Sequence, residues 1–260
     1  MFSKSTLFFF RYDIYLLMFY ENQTTSLAGC FGFTVDSKID ERFNDMISII
    51  DYDAGNIKSV AKALEYLGEE ITITDDRDVI MNSSGVILPG VGAFGDAMNN
   101  LRERNLENVI KDYVKTDKPF LGICLGLQLI FEESEESPGV KGLGLLKGKI
   151  KRIPSEGPDG QQYKVPQIGW NDIDINPNSK LLSGLVTDEM LSSASKPYVY
   201  FVHSFYLEAD NIEDVAATTE YGVKIHAAVE RDNVMATQFH PEKSSDTGLK
   251  ILKNFIDMCD

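Results

Sequence analysis

Five short apolar runs divide this chain and set its architecture: ISIID (47–51), EEITIT (69–74), GVILPG (85–90), KPFLGIC (118–124) and NVMATQF (233–239). Between them the apolar residues switch to helical spacing, as in Ile57, Val60, Ala61, Leu64 and Leu67, a run that Gly68 stops. Further helical patterns fall at 95–103, 105–116, 125–134 and 245–258; the third, LGLQLIFEES, reads as two to three turns. Strands that alternate with helices are buried beneath them, so the expected fold class is α/β, an open and mostly parallel sheet flanked by helices. Residues 148–230 change character, with short strands and many Pro, Gly and Asn turns, and read as an added antiparallel region.

Residues 1–46 do not share this pattern. LFFFRYDIYLLMFY (7–20) is the most apolar stretch, but it holds Arg11 and Asp13 and is short for a membrane span, which needs ~20 apolar residues. Lys4 before it and LAGC after it outline a secretory signal, although the gap to Cys30 is long for a cleavage site. The alternatives are an appended extension, or upstream sequence that is not translated, with Met46 as the start. The expected division is an N-terminal extension over 1–46 and one domain over 47–260.

Forty acidic against 25 basic residues give a net charge of −15, which repels phosphate backbones and argues against nucleic acid as a partner. Cys30, Cys124 and Cys259 are an odd, widely spaced set, which speaks against a disulfide framework and for a reducing, cytoplasmic setting. His203, His226 and His240 are the only histidines, none at metal-ligand spacing with another His or Cys. No metal is expected, and no dinucleotide fingerprint G-x-G-x-x-G is present.

The sharpest chemical signal is Gly122-Ile123-Cys124-Leu125-Gly126, set between a strand and a helix. A nucleophile on such a turn stands above the strand ends, where open α/β sheets bind ligands, and the flanking glycines let the backbone bend. The Leu125 amide opens the helix, and a helix N-terminus favours the anionic thiolate. A small buried cysteine in an apolar strand is the alternative. Gln238-Phe239-His240-Pro241-Glu242 follows the last strand; a thiol nucleophile needs a base, and that base needs a group to fix its tautomer. His240 and Glu242, two apart in extended chain, point to one side; a solvated histidine beside a surface glutamate is the alternative. Pro89-Gly90-Val91-Gly92-Ala93-Phe94 ends the third strand at the same sheet edge, and its Val91 or Gly92 amide, with that of Leu125, suits an acyl-transfer oxyanion.

Together PGVGAF, GICLGLQLIFEESEE and QFHPEKS resemble the triad-type class I glutamine amidotransferases. DYDAGN, QIGWND (167–172) and YFVHSFY (200–206) narrow the resemblance to the glutaminase subunits of imidazole glycerol phosphate synthase, from histidine biosynthesis. The resemblance runs from about Ile47 to the C-terminus. It implies Cys124 as nucleophile toward the side-chain amide of glutamine, His240 as proton shuttle and Glu242 as its support. It implies that Gly90, Gln128, Glu136, Ser204 and Phe205 bind substrate, with Glu136 on the α-amino group and Ser204 and the Phe205 backbone on the α-carboxylate. It implies that Trp170, Asn171 and Lys243 face a (β/α)8 cyclase subunit, and that no cofactor is needed. Asp53 stands where the family usually has Gly, and Phe205 where Tyr is common.

Overall fold

The computed structural model describes residues 46–158 and 160–260; the readings of residues 1–45 fall outside the described residues. The first half runs β1 (Ile47–Ile50), α1 (Ile57–Tyr66), β2 (Ile71–Thr74), α2 (Arg77–Asn82), β3 (Gly85–Gly90), α3 (Phe94–Glu103), α4 (Leu106–Val114), β4 (Phe120–Cys124) and α5 (Leu125–Leu129). The second runs β5 (Glu133–Ser134), β6 (Gly148–Arg152), β7 (Gln167–Asp172), β8 (Asp174–Ile175), α6 (Asp188–Ser193), β9 (Tyr198–His203), β10 (Phe205–Ala209), β11 (Val215–Glu220), β12 (Lys224–Arg231), β13 (Val234–Thr237) and α7 (Ser245–Cys259).

The main sheet has the order β2-β1-β3-β4-β13-β12-β11-β8. Its first five strands are parallel and the last three antiparallel, so the α/β class and the added antiparallel region read from the sequence are what the chain adopts. The parallel order 2-1-3-4-5 is that of doubly wound sheets, whose ligands sit beyond the strand C-termini. Alternation along each strand assigns the side chains to two faces. Val86, Leu88 and Phe120 pack with Met98, Leu101, Ile110 and Tyr113 of α3 and α4, while Ile87, Leu121 and Ile123 pack with Val60, Leu64, Ile251 and Phe255 of α1 and α7. Both faces are therefore dry, which is why these strands read as continuous apolar runs. Two smaller sheets, β10-β6-β5 and the β7–β9 ribbon, complete the structure.

Two local readings change. The helix expected over 125–134 stops at Leu129. Segment 142–146 takes the carbonyls that a longer helix would use: the Leu143 amide bonds to Leu129 O at 2.8 Å, Leu145 to Ile130 O at 2.8 Å and Gly142 to Glu132 O at 2.9 Å. A tertiary partner thus outbids helix propensity, which is a weak term per residue. Helix α2 has no counterpart in the sequence reading; Asp76 caps it by accepting from the Asp78 and Val79 amides at 2.8 and 3.2 Å, the preferred role of Asp at that position.

Candidate active site

The loops that leave β1, β3, β4 and β13 meet at one edge of the sheet. Cys124 ends β4 at φ 55°, ψ −105°, a conformation side-chain-bearing residues rarely adopt. The turn is held by contact rather than by freedom alone. A Cβ on Gly126 would lie 1.9 Å from the Leu88 carbonyl oxygen, and one on Gly122 would lie 2.9 Å from the Gly126 carbonyl. Glycine at both positions lets α5 pack directly on β3 and β4. The Cys124 sulfur is 3.9 Å from the Val202 carbonyl oxygen and 3.8 Å from Gln238 Nε2.

His240 leaves the end of β13 and is pinned by its backbone to neighbouring elements. Its N–H donates to Tyr200 O at 3.0 Å, and its carbonyl accepts from Ser244 Oγ at 2.7 Å. The imidazole is fully buried, and Nδ1 donates to Glu242 Oε1 at 2.7 Å. Nε2 makes no hydrogen bond, and the sulfur of Cys124 acts on the ring from nearby. Burial pulls the imidazole pKa down, but Cys124 and Glu242 outweigh it and hold the group up at about 9. Burial likewise raises Glu242, and its bonds to His240 and Asn56 more than offset this, leaving the carboxyl below its ordinary value. Opposite charges in a dry site account for both directions.

Beside the sulfur lies a cavity of about 280 Å³, lined among others by Val91, Gly92, Leu125, Gln128, Glu136 and Ser204. Phe205 lines it too, and its carbonyl accepts from Gln128 Nε2 at 3.1 Å. Gln128 also donates to Gln238 Oε1 at 3.1 Å, so its amide is fixed from two sides. Glu136 accepts from the Phe94 amide at 2.7 Å, capping α3 directly behind the Val91-Gly92-Ala93 loop. Gly92 stands at φ 111°, in the left-handed region that favours glycine. Gly90 pairs with Cys124 across β3 and β4, and its Cα packs so closely under Tyr52 that a Cβ would lie 2.3 Å from the hydroxyl. Among the described residues no group of three His, Cys, Asp or Glu is placed to hold a metal, and no helix is long and apolar enough to cross a membrane.

Trp170 and Lys243 lie outside this cavity. Trp170 is 52% exposed on the β7–β9 ribbon, edge-on to Tyr200, and Lys243 is exposed next to Glu242. Asn171 points to the other side of the ribbon, donating to Glu220 O at 3.0 Å. Asp53 forms an ion pair with Arg104, which also reaches Asp75 at 2.9 Å, so the added carboxylate has a cation waiting for it.

Several site residues were not singled out by sequence reasoning. Asn56 donates to Glu242 Oε1 at 2.7 Å. Tyr52 donates to Pro89 O at 2.7 Å under the glycine loop. His203 lines the cavity, with Nδ1 2.9 Å from Phe205 O; burial, opposed by that bond and aided by His240, pushes it down to about 4. Asn56 and Tyr52 lie in DYDAGN and His203 in YFVHSFY, motifs whose individual side chains carry no spacing signal.

The chain matches the family described as glutamine amidotransferase class-I over residues 48–259. The imidazole glycerol phosphate synthase subunit HisH of Geobacillus sp. (strain WCH70) is 48% identical over 210 residues, covering 81% of this chain and 95% of its own length. The same subunit of Syntrophotalea carbinolica is 48% identical over 214 residues, covering 82% and 100%. That of Methanothermobacter thermautotrophicus is 46% identical over 216 residues, covering 82% and 98%. Among solved structures, PurLQS from Thermotoga maritima superposes with a TM-score of 0.62 at 21% identity, over 82% of this chain and 98% of that one. A structure described as glutamine amidotransferase gives 0.61 at 19%, over 82% and 98%; these two likenesses speak to the fold.

Proposed function

The chain belongs to the class I glutamine amidotransferase family, in the branch of the imidazole glycerol phosphate synthase subunits, and from that premise we propose that Cys124, His240 and Glu242 hydrolyse glutamine and that the ammonia passes to a cyclase partner in the cytoplasm. One observation supports the catalytic assignment: a buried imidazole is bonded to a carboxylate at 2.7 Å and feels the sulfur of a strained turn that opens on a cavity.

The thiolate of Cys124 attacks the side-chain carbonyl carbon of glutamine. The C–S bond forms, the C–N bond breaks, and the imidazolium of His240, held charged by its surroundings, gives its proton to the departing nitrogen. Water then attacks the γ-glutamyl thioester, His240 takes its proton, and the C–S bond breaks to release glutamate and restore the thiolate beside the imidazolium. Both steps pass through an oxyanion, stabilised by the Leu125 amide and by that of Val91 or Gly92. Glu242 fixes the tautomer that turns Nε2 toward the sulfur. Gln128, Glu136, Ser204, Gly90 and the Phe205 backbone orient the amino-acid end of the substrate. Gln128 and Glu136 are already anchored, so their placement loses little freedom on binding.

The β7–β9 ribbon supplies the partner face. Ile168, Trp170 and Tyr198 are 62%, 52% and 51% exposed, and pairing of Ile168 with Val202 and Trp170 with Tyr200 sets them on one side of the ribbon. Val202 belongs to that side and also lines the cavity, so ammonia released there is close to the covered face. Lys243, exposed on the turn after His240, is assigned to the partner face by resemblance, and Asn171 steadies the ribbon from behind. By resemblance, the products of the assembled pair are imidazole glycerol phosphate and aminoimidazole carboxamide ribotide.

Glutamate release tests the reading. Wild type with the cyclase subunit and its nucleotide ligand should turn over glutamine faster than wild type alone, and Cys124→Ala should be silent in both. Wild type that releases no glutamate in the assembled pair refutes the assignment.

A further inference from the structure

Asn56 occupies the N-cap of α1 in the left-handed conformation, φ 72°, ψ 0°, yet its side chain caps nothing in that helix. Asn is preferred at an N-cap because its oxygen accepts from the next turn's amides. Here the amide forgoes that role and donates to Glu242 Oε1 at 2.7 Å. The same oxygen accepts from His240 Nδ1 at 2.7 Å, and the two donors stand 3.5 Å apart. The orientation of the Asn56 amide follows from chemistry, since the reverse flip would press its oxygen on a carboxylate. Glu242 is fully buried at its side chain, and its second oxygen has no partner. Asn56 and His240 are therefore the side-chain donors that the described residues give this carboxylate. Its neighbour Gly55 packs against the oxyanion loop so tightly that a Cβ there would lie 2.8 Å from Val91 Cγ2.

We propose that Asn56 is a positioning residue of the Cys124–His240–Glu242 site, holding Glu242 Oε1 in the plane of the imidazole so that the remaining ring nitrogen meets the sulfur. The inference rests on the glutaminase reading above. It assigns to the turn after β1 a part in the chemistry that neither the cavity lining nor the strand ends reveal. Asn56 does not line the cavity, so its loss acts on the reacting groups and not on glutamine affinity. A charge-assisted hydrogen bond of this kind corresponds to roughly a tenfold to hundredfold change in rate when it is removed.

Two variants isolate the effect, both assayed in the complex with the cyclase and its nucleotide ligand. Asn56→Gly keeps the left-handed backbone and deletes the donor. Its kcat per titratable thiol should fall roughly tenfold to a hundredfold, with KM for glutamine within about twofold of wild type. Asn56→Asp is isosteric and tolerates the same backbone, but sets a second carboxylate against Glu242. Two carboxylates at that distance do not both ionise, so the acid limb of its pH–rate profile should move to higher pH. The other titratable groups in that balance are His240 and Cys124, which acts on the His240 imidazole, while His240 in turn acts on His203. A role confined to folding would lower the melting temperature and leave that limb in place. Wild-type kcat and an unmoved limb in both variants overturn the assignment of Asn56, whereas a wild-type complex that releases no glutamate overturns the glutaminase reading itself.

Discussion

Replacing Gly126 by Ala sets two physical effects against each other. Gly126 lies in the first turn of α5, and a Gly→Ala change in a helix stabilises by at most about 1 kcal/mol on propensity alone. The tertiary structure demands the opposite. The added methyl would sit 1.9 Å from the Leu88 carbonyl oxygen and 3.0 Å from its carbon, where ordinary contact begins at 3.4 Å. The shortfall is 3.4 − 1.9 = 1.5 Å, and it falls on backbone rather than on a side chain that could swing away. Strand β3 cannot retreat, because β1 and β4 are bonded to its two edges. Overpacking of this kind costs about 1–3 kcal/mol, and rigid backbone on both sides puts Gly126→Ala at or beyond the upper end, so the clash outweighs propensity. For a domain of this size, a loss of about 3 kcal/mol lowers Tm by roughly 6–12 °C. Thermal unfolding followed by circular dichroism reads the shift, and glutaminase activity of the folded fraction should fall with it as the Cys124 turn is displaced. A Gly126→Ala protein as stable as wild type, or more so, would refute the argument that contact rather than flexibility requires this glycine.

Further outcomes follow from single contacts. Cys124→Gly should be about 1 kcal/mol more stable than Cys124→Ala, since relief of about 1–3 kcal/mol of backbone strain exceeds the added chain entropy of glycine; paired denaturant titrations decide it. Tyr52→Phe removes the donor to Pro89 O and should cost about 1–3 kcal/mol, read in the same titrations, with a lower kcat as the glycine loop loosens. His203 is pushed down to about 4, so the unfolded chain takes up its proton first as pH falls below about 6.5. Stability should therefore drop between about pH 6.5 and 4, and the drop should shrink in His203→Asn. His240 runs the other way: held up at about 9, it adds stability below about pH 6.5 that is lost as pH rises through 9, and Glu242→Gln should flatten that alkaline decline.

The layered α/β frame is legible in local pattern alone. Strands buried on both faces must be apolar throughout, helices between them must be apolar on one side, and both patterns survive as composition and period in ISIID, GVILPG and NVMATQF. Two candidate places for chemistry are legible as well, because GICLG closes one such strand and HPE follows another, and a strand end is a place as well as a pattern. Contacts between residues far apart in the chain leave no period to read. The end of α5 at Leu129 depends on carbonyls claimed by segment 142–146, and the seat of His240 depends on Tyr200 and Ser244. Asn56 reaches Glu242 across 186 positions, a meeting that only the parallel packing of β1 and β13 loops at one sheet edge brings about. Local pattern fixes an element by the surface it must bury; which side chains then touch is decided by how the buried faces close on one another.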